Sequence, residues 1–252
     1  MEIVDRTDQN YFQSWRLIGR SGSGAMYEEG GVLAAASGVP VAWLNLLFVT
    51  RPLANPMQQL KKGIDFFDQR GIDFVVRIRE GFDLASEAAL EKLGFAYGDT
   101  IPGMASTAMS APPTPPELRI ETISRGRSHN DYLDVLARGF GMPAEMTRAV
   151  FGPAIFLEPE MESFVGYVGD TPVATSSLVY GACVAGVYNV ATHPDHRKRG
   201  YGEALTWRAV TRGGELGCDM AALQASEMGR PIYERMGFRL VSPYKTYHRP
   251  GV

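Results

Sequence analysis

The sequence predicts an α/β fold, with mixed layers of helix and strand around a sheet, in a chain built of two similar halves. Three observations carry this. Short β-rich runs alternate with stretches of helical spacing. The 28 Gly and 16 Pro break the 252 residues into short elements, which argues against an all-helical bundle. One pattern also occurs twice, on either side of Ser110-Ala111-Pro112-Pro113-Thr114-Pro115-Pro116, where four prolines in five residues forbid helix or central strand. The expected organisation is a first domain over 1–110, a linker over 111–117 and a second domain over 118–252.

The elements follow in order. A first helix carries Tyr11, Phe12 and Trp15 on its core side. An apolar stretch, Val39 to Val49, runs into Thr50-Arg51-Pro52. A β-rich run then follows Gly71, and a short helix ends at Gly94-Phe95, which opens another strand. In the second half, 118–123 alternates as a strand does and 130–140 has amphipathic helical spacing. Strands at 163–168 and 172–180 are joined by the turn Gly169-Asp170. The run 182–191 is almost wholly apolar, as in a strand buried on both faces. It ends in Thr192-His193-Pro194, and a helix follows over 201–212. A strand at 220–224, a short helix at 231–236 ending in Gly237-Phe238, and terminal strands around 239–247 complete the chain. Gly71 to Phe95 and Gly217 to Phe238 thus repeat strand, loop, helix and Gly-Phe with a three-residue difference in spacing.

Composition narrows the function. Hydrophobic residues at 45% and charged residues at 21% exclude disorder, collagen and coiled coil as whole-chain readings. The net charge is -3, and neither half has the basic excess that a nucleic-acid backbone requires, so no nucleic-acid partner is expected. Cys183 and Cys218 imply no disulfide framework. The polar Met1 to Asn10 lacks a secretory pattern and Val39 to Val49 is too short to span a bilayer, so a cytoplasmic protein without a membrane partner is expected.

The most informative segment is Thr192-His193-Pro194-Asp195-His196-Arg197-Lys198-Arg199-Gly200-Tyr201-Gly202-Glu203. Free amides at a helix N-terminus, with the helix dipole, form an anion site. Gly200 and Gly202 let the backbone approach the anion, while Arg197 and Arg199 add forked donors suited to phosphate. A pyrophosphate is the natural ligand. The Walker pattern is absent, and Leu205 stands where a dinucleotide fingerprint needs a third glycine. A basic run is by itself more often a solvated surface; its place between a buried strand and a glycine-opened helix favours the anion site.

Arg197-Lys198-Arg199-Gly200-Tyr201-Gly202 after a strand, followed by Tyr233-Glu234-Arg235-Met236-Gly237-Phe238, resembles the GNAT superfamily of acyl-CoA-dependent N-acetyltransferases. The match covers about 118–252; residues 1–109 resemble a degenerate second copy, as in tandem GNAT proteins. The resemblance implies two GNAT-like domains, each with a mixed, largely antiparallel sheet flanked by helices. It also implies acetyl-CoA as cosubstrate, no metal, and direct transfer to a primary amine of a small molecule or peptide. A homodimer is compatible with it. The pantetheine arm would lie along Val190, Ala191 and Thr192, where the strand splays from its neighbour, and the pyrophosphate on the amides of Lys198 to Glu203. Tyr233 would protonate the departing thiolate, since a phenol near 10 is close to a thiol near 8.5.

Several positions depart from the family pattern. Ser226 stands where many members have a cofactor-contacting Asn, and a hydroxyl still donates one hydrogen bond. Ala182 to Thr192 holds no carboxylate, leaving Tyr188, Asn189, His193 and Glu227 as candidates for the base or its water relay. That gap motivates a rival reading, a non-catalytic acyl-CoA-binding or regulatory module. In the first half Pro56 removes an amide donor, no paired glycines follow Pro52, and Leu90 stands in the place of Tyr233.

Overall fold

The computed structural model describes residues 2–109, 117–123 and 127–251. Most of the proline-rich segment therefore lies outside the described residues. The first half contains α1 (Ile3–Arg20), the hairpin β1 (Ala25–Glu29) and β2 (Val32–Ala36), β3 (Asn45–Val49), α2 (Pro56–Asp68), β4 (Val75–Arg79), α3 (Leu84–Lys92) and β5 (Ala96–Ser106). The second contains β6 (Arg119–Thr122), α4 (Arg127–Phe140), α5 (Ala144–Val150), β7 (Met161–Val168), β8 (Thr171–Gly181), β9 (Val184–Thr192), α6 (Tyr201–Glu215), β10 (Met220–Gln224), α7 (Arg230–Arg235) and β11 (Arg239–His248).

The expected mixed α/β fold is found, with one feature that the sequence conceals. All the described strands join one eleven-stranded sheet in the order β1-β2-β3-β4-β11-β5-β10-β9-β8-β7-β6. The last strand of each half crosses to the other, β11 pairing with β4 and β5 with β10, while β5 and β11 pair with each other. Among the described pairings only β3 with β4 and β9 with β10 are parallel. The terminal strands expected around 239–247 are the single strand β11, whose register against β5 shifts between Leu240 and Ser242.

The two halves share local hydrogen bonding. Phe95 N donates to Leu90 O and Phe238 N to Tyr233 O, each at 3.0 Å, after glycines with φ of 85° and 91°. Glu80 N donates to Pro243 O and Ala225 N to Pro102 O, at 2.8 and 2.9 Å. Leu90 and Tyr233 thus hold equivalent places, as do Arg79 and Gln224.

Strand alternation sorts the core into two layers. On one face, Val32, Ala34, Leu47 and Val76 pack with α2 and α3, and Leu178, Ala185, Ala221 and Leu223 pack with α6. On the other, Leu33, Leu46 and Phe48 pack with Tyr11, Phe12 and Trp15 of α1, and Val165 and Val179 pack with α4 and α5. Helix α6 runs past the expected end at Arg212 because Gly213 serves close packing; a Cβ there would lie 2.2 Å from the Ala185 Cβ. Helix α5 went unread in the sequence, being only seven residues long after Pro143.

Candidate active site

The site begins where two parallel strands part. The β9–β10 ladder ends at Gly186 opposite Ala222, yet β9 continues to Thr192 and β10 to Gln224. Val190, Ala191 and Thr192 therefore lie on an arm whose β10 side is unpaired, forming a fork. On its other edge, Thr175 opposes Ala191 and Ser177 opposes Tyr188, so Asn189 and Val190 together face the single residue Ser176. This bulge puts Asn189 at φ 53°, a left-handed conformation that Asn tolerates.

A buried hydroxyl network holds the bulge, and the sequence reading missed it. Tyr132 Oη and Ser163 Oγ each lie 2.7 Å from Ser177 Oγ, and Asn189 Nδ2 donates to the same oxygen at 3.3 Å. Thr175 Oγ1 donates to Asn189 O at 2.9 Å. Burial pushes the Tyr132 phenol up to about 12, against smaller opposing effects of Ser177, Asn189 and Ser163. The available signal was Thr175-Ser176-Ser177 inside an otherwise apolar strand.

The first half reaches into the base of the fork. Asn10 of α1, 1% exposed, donates through Nδ2 to Val179 O at 2.9 Å and to Val184 O at 3.3 Å, and accepts from Tyr188 Oη at 2.8 Å. A Cβ at Gly186 would stand 1.8 Å from Asn10 Oδ1, so only glycine admits this wedge. Burial drives the Tyr188 phenol far upward, leaving it a fixed donor and not a titrating base. Asn10 carried no signal in the sequence; Gly186 in an apolar strand was the one trace of it.

Beyond Thr192 the chain makes a short 3₁₀ turn, Pro194–His196, and enters α6 through Gly200 at φ 80°, with Lys198 also left-handed at φ 62°. The first i→i−4 bond runs from Ala204 N to Gly200 O, so the amides of Tyr201, Gly202 and Glu203 precede the helical ladder. Gly202 lies directly against the strand end; a Cβ there would be 3.2 Å from Thr192 Oγ1. Lys198 and Arg199 are exposed beside this turn, while Tyr201 has its ring in the core. Arg197, also exposed, donates through Nη2 to Gly139 O at 2.8 Å and through Nε to Thr192 O at 3.4 Å, so that two of its five N–H donors tie the turn to α4.

Tyr233 on α7 packs edge-on to Phe238, with ring centroids 5.9 Å apart. Burial pushes its phenol up to about 12, with Thr206 of α6 acting the other way. Thr206 also donates to Gly202 O at 2.9 Å, linking the tyrosine to the glycine turn. Ser226 is exposed and its hydroxyl accepts from Gly229 N at 3.1 Å, closing the turn before α7. His193 is similarly engaged, its Nδ1 accepting from Asp195 N at 3.3 Å, and Glu227 is exposed. Among the described residues, no group of three or more His, Cys, Asp or Glu is placed to hold a metal ion, and no helix is long and apolar enough to cross a membrane.

In the first half the corresponding turn is filled by its own side chains. Gln59 accepts from Asn55 N at 2.7 Å and donates to Gly30 O, while Asp83 accepts from Leu53 N at 2.9 Å. Leu90 is fully buried.

Residues 161–241 match the family model described as an acetyltransferase (GNAT) domain. Over that segment the chain is similar to GNAT acetyltransferase domains. The GNAT acetyltransferases are acyltransferases, and the matched segment runs from β7 through the fork, the glycine turn and Tyr233 into β11. Likeness of fold extends over the whole chain. A GCN5-related N-acetyltransferase from Kribbella flavida superposes with a TM-score of 0.77 at 18% identity, covering 100% of this chain and 97% of that one. One from Sphaerobacter thermophilus gives 0.62 at 16%, covering 88% and 82%. A GCN5-related N-acetyltransferase-like protein from Streptococcus suis gives 0.60 at 14%, covering 98% and 99%. No curated protein matches the sequence.

Proposed function

We propose that the chain transfers an acetyl group from acetyl-CoA to a primary amine in a ternary complex, with 118–252 as the active domain and 1–110 as a degenerate copy. The observation that carries this reading is the junction of fork and turn: a strand arm from 187 to 192, unpaired on its β10 side, leads directly to the free amides of 201–203. Those amides, with Lys198 and Arg199 beside them, suit a pyrophosphate, and the arm suits the amide-bearing pantetheine chain. Arg197 supports the site by holding the turn in shape.

In this reading the neutral amine attacks the thioester carbon, a C–N bond forms and the carbonyl oxygen becomes an oxyanion, for which amides near Val190 are the local donors. The tetrahedral species collapses with cleavage of the C–S bond. Sulfur takes the electron pair and a proton from Tyr233, and the nitrogen gives up a proton to water. Held near 12, the phenol is always protonated at neutral pH, and the desolvation that raises it also raises the thiol formed beside it. The test is thiol release from acetyl-CoA in the presence of glycinamide, glucosamine, spermidine, kanamycin and a tripeptide, with mass spectrometry of the amine. Acetylation of at least one is expected; binding of acetyl-CoA with no turnover on any amine would favour the non-catalytic acyl-CoA-binding module.

A further inference from the structure

Gln224, at the tip of β10, is the least satisfied polar side chain beside the fork. Both its Oε1 and its Nε2 are buried, and neither has a hydrogen-bond partner among the described residues. Buried polar atoms left without partners are costly, so such a group calls for a partner from outside the chain, a water or a bound molecule.

The register shows which face it occupies. Gln224 opposes Gly103 on β5, and Gly103 opposes Ser242 on β11; directly opposed residues share a face. Ser242 Oγ donates to Asp8 Oδ1 of α1 at 2.6 Å, so the row faces α1. Its strand neighbour Leu223 packs in the α6 core, on the opposite face. Across the fork, Tyr188 is likewise on the α1 side, bonded to Asn10. Gly186 and Ala222 form the last β9–β10 pair, so Tyr188 and Gln224 stand two residues beyond it, one on each arm and on the same face.

The degenerate half shows the same position closed. Arg79, the equivalent of Gln224, is paired with Asp8 at 3.1 Å, and the residue opposite it is Tyr244, whose hydroxyl also donates to Asp8. Opposite Gln224 stands Gly103, over which the edge of the Tyr244 ring lies: a Cβ there would stand 2.9 Å from Tyr244 Cε2. One copy of the position is closed by an ion pair; the other ends in a carboxamide that has no partner among the described residues.

We propose that the Gln224 carboxamide binds the acceptor on the α1 face of the fork, its Oε1 accepting an N–H of the nucleophilic amine and its Nε2 donating to an oxygen next to that amine. This rests on the acetyl-transfer reading above. A neutral primary amine has two N–H groups and one lone pair, so engaging one N–H directs the lone pair into the fork. An uncharged carboxamide does this without holding the amine as unreactive ammonium, as a carboxylate would. The substrate class is a primary amine with a neighbouring hydroxyl or carbonyl, which glucosamine and glycinamide satisfy and spermidine does not.

The test is Gln224→Met, which keeps length and removes both orphaned atoms. Expected are an acceptor KM for glycinamide or glucosamine about 5- to 150-fold higher, the value of two lost hydrogen bonds, an unchanged KM for acetyl-CoA, and a Tm equal to or above that of the parent. Gln224→Glu should move the rising limb of the kcat/KM pH profile to higher pH, which a purely structural role would not do. An unchanged acceptor KM, or a parallel rise in the KM for acetyl-CoA, overturns the assignment while leaving acetyl transfer intact. A parent protein that acetylates none of the amines removes the transfer reading itself, and this site with it.

Discussion

Replacing Gly202 by alanine separates cofactor binding from folding. The new Cβ would lie 3.2 Å from Thr192 Oγ1 and 3.8 Å from Val190 Cγ1, so the hydroxyl must yield by a few tenths of an ångström. Against that, alanine in a helix is favoured over glycine by about 0.5–1 kcal/mol, so stability should change by less than about 1 kcal/mol. On the proposed placement, the methyl group would project between the 201–203 amides and the 190–192 strand end and narrow the approach of a pyrophosphate oxygen to those amides. Losing one charge-assisted hydrogen bond costs about 1.5–3 kcal/mol, a rise in Kd of roughly 10- to 150-fold. Gly214→Ala, near the other end of α6 and with no contact under 3.7 Å for its Cβ, is the control. Calorimetric titration with CoA and thermal unfolding of all three proteins would decide. A Gly202→Ala variant that binds CoA within twofold of the parent would refute the placement of the pyrophosphate.

Three further outcomes follow from the same geometry. Tyr233→Phe should lower kcat by about 10²- to 10⁴-fold, the range for a general acid, with CoA affinity unchanged by titration; equal kcat would remove Tyr233 from the mechanism. Alkaline stability should fall from about pH 10: unfolded tyrosines ionise near 10, whereas Tyr132 and Tyr233 hold their protons to about 12. Between those limits the unfolded state binds fewer protons, so stability drops by up to about 1.4 kcal/mol per pH unit per tyrosine, and a urea midpoint that stays flat from pH 9 to 11 would count against their burial. Gly186→Ala should expel the Asn10 wedge and cost about 2–4 kcal/mol, read as a lower urea midpoint, because its Cβ collides with Asn10 Oδ1 and three hydrogen bonds depend on that side chain.

The local chemistry of the second half was legible because it is written in short spacings. The 220–224 strand, the glycine-opened helix and the Gly-Phe after α7 each follow from residues adjacent in sequence. The exchange of β5 and β11 was not, since a strand that pairs with its own half and one that crosses have the same alternation. Long-range insertions were equally silent: Asn10 reaches a fork some 170 residues away in sequence. Side chains also carry structural bonds that spacing does not show: two of the five N–H donors of Arg197 tie the turn to carbonyls, and the Ser226 hydroxyl accepts a bond that closes a turn. Tyr233 moved from a reference value near 10 to about 12 because burial, invisible in a motif, dominates its titration.

The central claim is that one half alone, through its fork and glycine turn, holds the acyl donor. Backbone amide NMR of the full chain titrated with acetyl-CoA tests it directly. Perturbation concentrated in 187–192 and 198–203, with the equivalent first-half turn at 50–58 unmoved, is the predicted result. Perturbation centred on 50–58, or none in either turn, would contradict it.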